Sequence, residues 1–144
     1  PAALAEGRIG GYVVAEPFGA ISVALENGNV LYQSEDIWQD SIDCGLVLRG
    51  QFIENNQELV QSFVDDYIAG GDLAQHKDDH THEVVSEYLT VEKDVLDLSL
   101  QWISYDNLAI EKDSYDVLRN ALIEMELSKN PPAYEDFVDA RFVN

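Results

Sequence analysis

Short apolar runs between turn residues indicate three β-strands in the first third of the chain. These runs are Tyr12–Ala15, Val30–Gln33 and Cys44–Arg49. They contain β-branched or aromatic residues, and Gly, Pro, Asn or Asp residues flank them, as is typical of strands. The third run is apolar throughout, so we expect both of its faces to be covered.

Helical spacing of apolar residues predicts one helix between the strands and several after them. Pro17 suits the first turn of the helix over residues 18–25, and Asn27-Gly28 ends it. After Glu54 the apolar residues recur at helical spacing in four groups: Leu59, Val60, Phe63, Val64, Tyr67 and Ile68; Val84, Val85, Tyr88 and Leu89; Val95, Leu96, Leu100 and Ile103; Tyr115, Leu118, Leu122 and Met125. We expect Gly70-Gly71 to end the first of these helices and Asn130-Pro131-Pro132 to end the last.

The fold class that these elements predict is α/β, with few short strands followed by several helices. Three strands and four or five one-faced helices do not form a closed unit, because each apolar stripe needs a sheet to pack against. The sequence is therefore expected to be part of a larger fold.

Charge excludes some partners. The chain of 144 residues has 8 Lys+Arg against 28 Asp+Glu, a formal net charge of −20. Such a surface repels phosphate, so we expect no nucleic-acid partner. The acidic residues are spread along the chain, which favours a solvated surface over a calcium site, and no calcium-loop motif is present. No apolar run approaches the roughly 20 residues of a spanning helix.

Three groups of residues, in order along the chain, resemble a known family. The first group is residues 1–9 followed by 11–19, where a helix end and a strand lead into the turn Glu16-Pro17-Phe18. The second is Asp36-Ile37-Trp38 with Cys44–Arg49, Phe52, Asn55 and Glu58-Leu59-Val60, and the third is residues 98–105 with 130–139. Together they resemble the nitrate, sulfonate, taurine and bicarbonate binding proteins of ABC importers, whose relatives bind thiamine pyrimidine precursors. Gly10 stands where that family commonly has Asp.

The resemblance implies part of a two-lobed periplasmic-binding-protein fold of type II. Residues 1–35 would end the second lobe, residues 36–50 would form the crossing connection and returning strand, and residues 51–144 would form the helical part of the first lobe. It also implies an extracytoplasmic location, either periplasmic or as a lipoprotein anchored at the cell surface.

Glu16 and Phe18 are the first candidate ligand-binding residues. Glu16 follows a predicted strand and precedes Pro17. Ligands in open α/β sheets bind beside the carboxyl ends of strands, and a carboxylate there can accept hydrogen bonds from an amine or amidine. The alternative is that Glu16 only caps its helix. Phe18 is expected either to form a wall of the cleft or to pack in the core.

Trp38, Ser41 and Asp43 form the second candidate set, because the crossing segment lies near the hinge in the resembled fold. The alternative role for Trp38 is structural, in which its side chain packs the crossing connection against one lobe. Cys44, the only cysteine, lies in an apolar run and is expected to be a small buried residue rather than a nucleophile.

A cluster of histidines is the candidate metal site. His76 and His80 would share one helix face and are the predicted ligands, whereas His82 cannot share that face with both of them. The alternative is an exposed helix start that binds metal only fortuitously.

The predicted function is that of a binding protein, not an enzyme, with no cofactor. It would capture a small organic solute, such as a sulfonate, a taurine-like or a pyrimidine-like compound, and deliver it to an ABC permease. The alternatives are a pyrimidine-precursor enzyme of the same fold or a standalone acidic interaction or sensory module. A homodimer is a further possibility if the chain is stable alone.

Overall fold

A computed structural model describes residues 1–143 of the chain, and its regular structure is helical. The elements in order are α1 (Ala2–Ala5), α2 (Phe18–Ala24), α3 (Ser34–Ile37), α4 (Gly50–Asn55), α5 (Gln57–Gln75), α6 (Asp79–Tyr88), α7 (Lys93–Trp102), α8 (Lys112–Glu124), α9 (Tyr134–Phe137) and a 3₁₀ turn (Ala140–Phe142).

The predicted α/β fold class is wrong for this structure, since residues 1–143 contain no strand and no sheet. The segments Tyr12–Ala15, Val30–Gln33 and Cys44–Arg49 form neither helix nor strand. Without strands, the mixed two-lobed type II fold expected from the resemblance is not formed either.

The three segments fail as strands because a strand needs a neighbour. A run of β-formers favours an extended chain, but only a hydrogen-bonded ladder and a covered face make that chain a strand. In this structure the side chains of Val13, Leu31 and Val47 are 100%, 85% and 86% exposed. Cys44, predicted to be buried, is exposed as well. Tertiary context thus decides against the local preference.

The predicted helices are present at α2, α6, α7 and α8, but two predicted helix ends are wrong. Gly70-Gly71 lies inside α5, and α8 ends at Glu124, before Asn130-Pro131-Pro132. Helix α5 continues to Gln75, and Gly71 is buried within it. A glycine inside a helix costs about 1 kcal/mol relative to alanine, which a 19-residue helix tolerates. Helix α6 begins at a side-chain cap, where the Asp78 carboxylate accepts from the Thr81 N–H at 2.9 Å.

The chain forms two compact units, and neither is continuous in sequence. Unit 1 comprises Pro1–Gln33 and Gly70–Asp106, and unit 2 comprises Ser34–Ala69 and Asn107–Asn144. The assignment of residues 1–35, 36–50 and 51–144 to lobes of a larger protein stays a prediction. No helix within residues 1–143 combines the length and the apolar character needed to cross a membrane.

Unit 1 is built on the packing of α2 against α7. Ala20 and Ser22 are the buried residues of α2, and four residues of α7 are buried: Val95, Leu96, Ser99 and Leu100. Helix α6 also packs on α7. The Gln75 side chain accepts from the Tyr105 N–H at 2.8 Å and so joins the end of α5 to the chain after α7.

Unit 2 has an apolar core and an aromatic cluster. The core consists of Val60 and Val64 of α5 with Phe142, and Leu48, Ile53 and Ile68 pack against it. The aromatic cluster consists of Tyr115, Tyr134 and Phe137. Tyr115 is buried, stacks on Phe137 with ring centroids 5.2 Å apart, and meets the Tyr134 ring edge-on at 5.9 Å.

Candidate functional site

Glu16 lies directly before Pro17, the residue that precedes α2, and its side chain is half-buried. Its Oε2 accepts a hydrogen bond from the Ala20 N–H at 3.1 Å. The first N–H groups of a helix have no partner inside the helix, so a carboxylate at this place satisfies one of them. The structure therefore contains the capping interaction that the sequence offered as the alternative role of Glu16. Phe18, the first residue of α2, is 51% exposed.

A tyrosine ties the chain before Glu16 to α2. The Tyr12 hydroxyl donates to the Phe18 carbonyl at 2.8 Å, and it lies 2.5 Å from the Ser22 Oγ. Ser22 is buried, so this contact satisfies a hydroxyl that water does not reach. The segment 12–15 was predicted to be a strand, but its first residue is held by side-chain bonds instead of by a ladder.

Gly19 provides the space that the Glu16 carboxylate occupies. A Cβ atom on Gly19 would lie 2.5 Å from Glu16 Oε1, well inside van der Waals contact. The same point is 3.8 Å from Cζ3 of Trp102, the last residue of α7. We call the group Tyr12, Glu16, Gly19, Ser22 and Trp102 the α2 corner.

Charge at the α2 corner is not neutralised by an ion pair. Within residues 1–143, no nitrogen of Lys, Arg or His lies within ion-pair distance of Glu16. Unit 1 has three basic residues, Arg8, Lys77 and Lys93. Arg8 pairs with Glu6 at 2.5 Å, and Lys93 pairs with Asp97 at 2.6 Å. The Glu16 carboxylate therefore has no cationic side chain as a partner within the described residues.

Trp38, Ser41 and Asp43 lie in unit 2, in the stretch between α3 and α4. Trp38 and Ser41 are half-buried and Asp43 is exposed. The Ser34 hydroxyl donates to Asp43 Oδ2 at 3.4 Å. The indole N–H of Trp38 is buried and has no hydrogen-bond acceptor within the described residues. The five predicted ligand-binding residues are thus divided between the two units.

The predicted metal ligands are both exposed, His76 just after α5 and His80 in the first turn of α6. No group of three or more His, Cys, Asp or Glu residues within residues 1–143 is arranged to hold a metal ion. A metal site at His76 and His80 stays a prediction.

His82, which was not among the predicted ligands, makes contacts on both sides of its ring. Its Nδ1 lies 2.8 Å from the Asp78 carbonyl, and its Nε2 lies 3.1 Å from Asp97 Oδ1 on α7. The Lys93 ammonium, which donates to Asp97, lowers the pKa of that carboxyl, and His82 contributes to the same shift. This contact between α6 and α7 has a structural role, and histidine spacing alone does not distinguish it from a metal ligand.

Two surface depressions of unit 2 are lined by none of the predicted ligand residues. One of about 510 Å³ is lined by residues 134–141, and one of about 300 Å³ is lined by residues 55–59. Each is formed by one short stretch of unit 2. The larger contains Asp139, where the Arg141 guanidinium donates to the carboxylate and lowers its pKa. Two acidic residues of this depression thus already have a cationic partner, because Glu135 pairs with Lys112 and Asp139 pairs with Arg141.

Four members of the α2 corner, Tyr12, Gly19, Ser22 and Trp102, were missed as site residues by sequence reasoning. Gly19 had a signal, because a glycine directly after the turn Glu16-Pro17-Phe18 indicates a close approach to the backbone. Tyr12 belongs to a predicted strand, and Trp102 is distant in sequence. No pattern in the chain connects Trp102 with Glu16.

The sequence model of the NMT1-like family matches residues 1–90 of the chain. This match includes Glu16, Phe18 and the second candidate set around Trp38. A search of curated proteins and a search of solved structures found no match. Since the matched part is more than half of the chain, this protein belongs to the NMT1-like family, whose members are typically solute-binding proteins.

Proposed function

We propose that the chain acts as the solute-binding component of an ABC importer, outside the cytoplasm, and delivers a small organic solute to a membrane permease. The observation that carries this proposal is the family match over residues 1–90, which includes the turn at Glu16. The family suggests solute binding in general, and the resemblance to nitrate, sulfonate and taurine binding proteins supports the importer role. No catalytic step is part of the proposal.

Glu16 is the residue that we assign to the ligand, with exposed Phe18 beside it. A half-buried carboxylate without an ion pair favours a ligand that brings its own positive charge. An exposed aromatic ring next to such a carboxylate adds apolar contact and a face for a cation. A simple inorganic anion would be repelled by the Glu16 carboxylate.

The ligand class that fits these groups is a small organic compound with an amine, such as a taurine-like sulfonate or an aminopyrimidine. Two of the three basic residues of unit 1 support this choice, since Arg8 and Lys93 are each engaged with a carboxylate. A permanently anionic ligand without an amine would find little compensation in unit 1. Nitrate, bicarbonate and ethanesulfonate therefore serve as negative comparisons for taurine and aminopyrimidine.

The proposal is tested by thermal unfolding and calorimetric titration of the purified chain with each of these solutes. A solute present at a hundred times its Kd stabilises a protein by about 2.7 kcal/mol, which gives a clear rise in Tm. We expect taurine or the aminopyrimidine to bind and the three anions not to bind. Binding of nitrate alone, or a lack of any response, would contradict the proposal.

Matched variants assign the binding to the α2 corner. Glu16→Gln keeps the shape of the side chain but removes its charge, and we expect it to lower the affinity roughly tenfold or more, as loss of a charge-assisted hydrogen bond does. Glu87→Gln is the control, because Glu87 is also an acidic residue of unit 1 and is exposed on α6. Equal effects of the two variants would show that only net charge matters. Trp38→Phe, Ser41→Ala and Asp43→Asn test the second candidate set separately.

A further inference from the structure

Gly19 is the second residue of α2, and its backbone does not need to be glycine for conformational reasons. Helix backbone is accessible to every L-residue, and glycine destabilises a helix relative to alanine. Gly50 in α4 and Gly70 in α5 also have helical backbone, and an added Cβ on either would meet no heavy atom within 4 Å apart from its own helix backbone and chain neighbours. Gly19 differs from both by its surroundings.

The Glu16 carboxylate fills the volume that a side chain at position 19 would take. An added Cβ would lie 2.5 Å from Glu16 Oε1 and 3.5 Å from its Cδ. The other oxygen, Oε2, is bound to the Ala20 N–H at 3.1 Å. The Glu16 carboxylate is thus bound to a backbone donor through Oε2, while its Oε1 occupies the space that the lack of a side chain at Gly19 leaves free.

The atom that would collide with a new methyl group is the end of a flexible side chain. Rotation of the Glu16 side chain relieves such a collision at little cost, whereas the backbone of α2 and its buried residues Ala20 and Ser22 stay in place. Substitution of Gly19 therefore moves a carboxylate without unfolding a helix.

We propose that Gly19 is a positioning residue in the α2 corner. Because it has no side chain, it leaves the room in which the Glu16 carboxylate can accept from the Ala20 N–H. The effect of Gly19 on ligand affinity rests on the proposed function, in which Glu16 contacts the solute. The effect on the Glu16 carboxylate itself does not rest on it.

The test compares Gly19→Ala with Glu16→Ala, the control Gly70→Ala and the double variant Gly19→Ala/Glu16→Asp. Amide NMR spectra report the hydrogen bond through the Ala20 signal. We expect the Ala20 amide proton in Gly19→Ala to move to its position in Glu16→Ala, while Tm changes little, because the helix preference of alanine offsets the loss of the cap. Gly70→Ala is expected to leave the Ala20 signal unchanged.

A rescue separates positioning from general damage to the helix. Aspartate is one methylene shorter than glutamate, so Glu16→Asp makes room for the methyl group introduced at position 19 while keeping a carboxylate for the Ala20 N–H. We expect the double variant to return the Ala20 signal most of the way to its wild-type position. An Ala20 signal that Gly19→Ala leaves at its wild-type position would overturn the proposal, as would a lowered Tm with shifts spread over α2 and α7.

Taurine serves as the probe for the binding arm. We expect Gly19→Ala to weaken taurine binding roughly tenfold, as loss of a charge-assisted contact does, and the double variant to recover most of it. Failure of wild-type protein to bind taurine would count against the proposed ligand class, while the Ala20 signal still decides the role of Gly19. Unchanged taurine affinity in Gly19→Ala, with the Ala20 signal moved, would overturn the link between Gly19 and the ligand.

Discussion

The α2 corner of unit 1 and the aromatic cluster of unit 2 share one kind of stabilising hydrogen bond but differ in whether the nearby carboxylate has an ion-pair partner. In both, a tyrosine hydroxyl donates to a backbone carbonyl, from Tyr12 to Phe18 at 2.8 Å and from Tyr115 to Pro132 at 3.0 Å. Beside the aromatic cluster, Glu135 pairs with Lys112 at 2.9 Å. In the α2 corner, Glu16 has only a backbone N–H as its partner within residues 1–143.

This difference separates a scaffold from a candidate site. A carboxylate that already has a cation, such as Glu135, offers little to a ligand, because binding would first have to break the pair. A half-buried carboxylate that accepts from only one neutral donor, such as Glu16, still has acceptor sites for further hydrogen bonds. We therefore expect substitutions in the aromatic cluster to change stability and substitutions of Glu16 to change binding.

The largest effect on stability is expected from Tyr115→Ala. Tyr115 is 4% exposed and contacts both Phe137 and Tyr134, so its removal leaves a cavity and breaks the bond to Pro132. Truncation of a buried aromatic residue to alanine costs about 3–5 kcal/mol. Urea unfolding at pH 7 measures this loss. Solute binding by the folded fraction is expected to stay at the wild-type level.

Tyr115→Phe is the matched control, because it keeps the ring and removes only the hydroxyl. We expect it to cost about 1 kcal/mol, the usual net contribution of a hydrogen bond. If the alanine variant cost no more than the phenylalanine variant, the aromatic cluster would not be a core of unit 2. If either variant abolished solute binding while the protein stayed folded, the separation between scaffold and site would be wrong.

Tyr12→Phe tests the corresponding hydroxyl in unit 1. The Tyr12 hydroxyl contacts both the Phe18 carbonyl and the Ser22 hydroxyl, and Ser22 is 3% exposed. Loss of a partner by a buried polar group costs about 1–3 kcal/mol. We expect a destabilisation in this range in urea unfolding.

The double variant Tyr12→Phe/Ser22→Ala provides the check on that explanation. Alanine at position 22 removes the group that the single variant leaves unsatisfied, so we expect the double variant to be more stable than Tyr12→Phe alone. A double variant that is the less stable of the two would show that Ser22 contributes through another contact.

Helices could be predicted from the sequence because the spacing of apolar residues that indicates a helix lies within the helical segment itself. The stripe Val95, Leu96 and Leu100 identifies α7, and the structure buries all three of these residues. Prediction of Tyr12–Ala15, Val30–Gln33 and Cys44–Arg49 as strands was wrong because a strand depends on partners elsewhere. A run of β-formers does not show whether such a partner is present.

The candidate site could be predicted only in part, for a related reason. Glu16 and its possible capping role follow from its place before Pro17, and the structure contains that cap. Trp102 is distant in sequence, so nothing local connects it with Glu16. The role of Gly19 depends on where one side chain points, and this orientation cannot be read from the order of residues.

The smallest expected effect is the contribution of the Glu135–Lys112 pair to stability, which we expect to depend on pH. The hydrogen bond from the Lys112 ammonium lowers the pKa of Glu135 below its ordinary value. An acid whose pKa is lower in the folded state stabilises the fold above its unfolded pKa, and this contribution is lost as the pH falls through the folded value. We therefore expect wild-type protein to exceed Glu135→Gln slightly in stability at pH 7, and the difference to vanish on acidification from about pH 4.5 downward.

Urea midpoints of wild-type protein and Glu135→Gln between about pH 7 and about pH 3 measure this difference in stability. Glu87→Gln is an exposed control that is expected to show no such trend. Because the pair is exposed, added salt should reduce the difference at pH 7. A difference that grows in acid would mean that Glu135 is not held by Lys112, and the contrast with the unpaired carboxylate of Glu16 would then lose its basis.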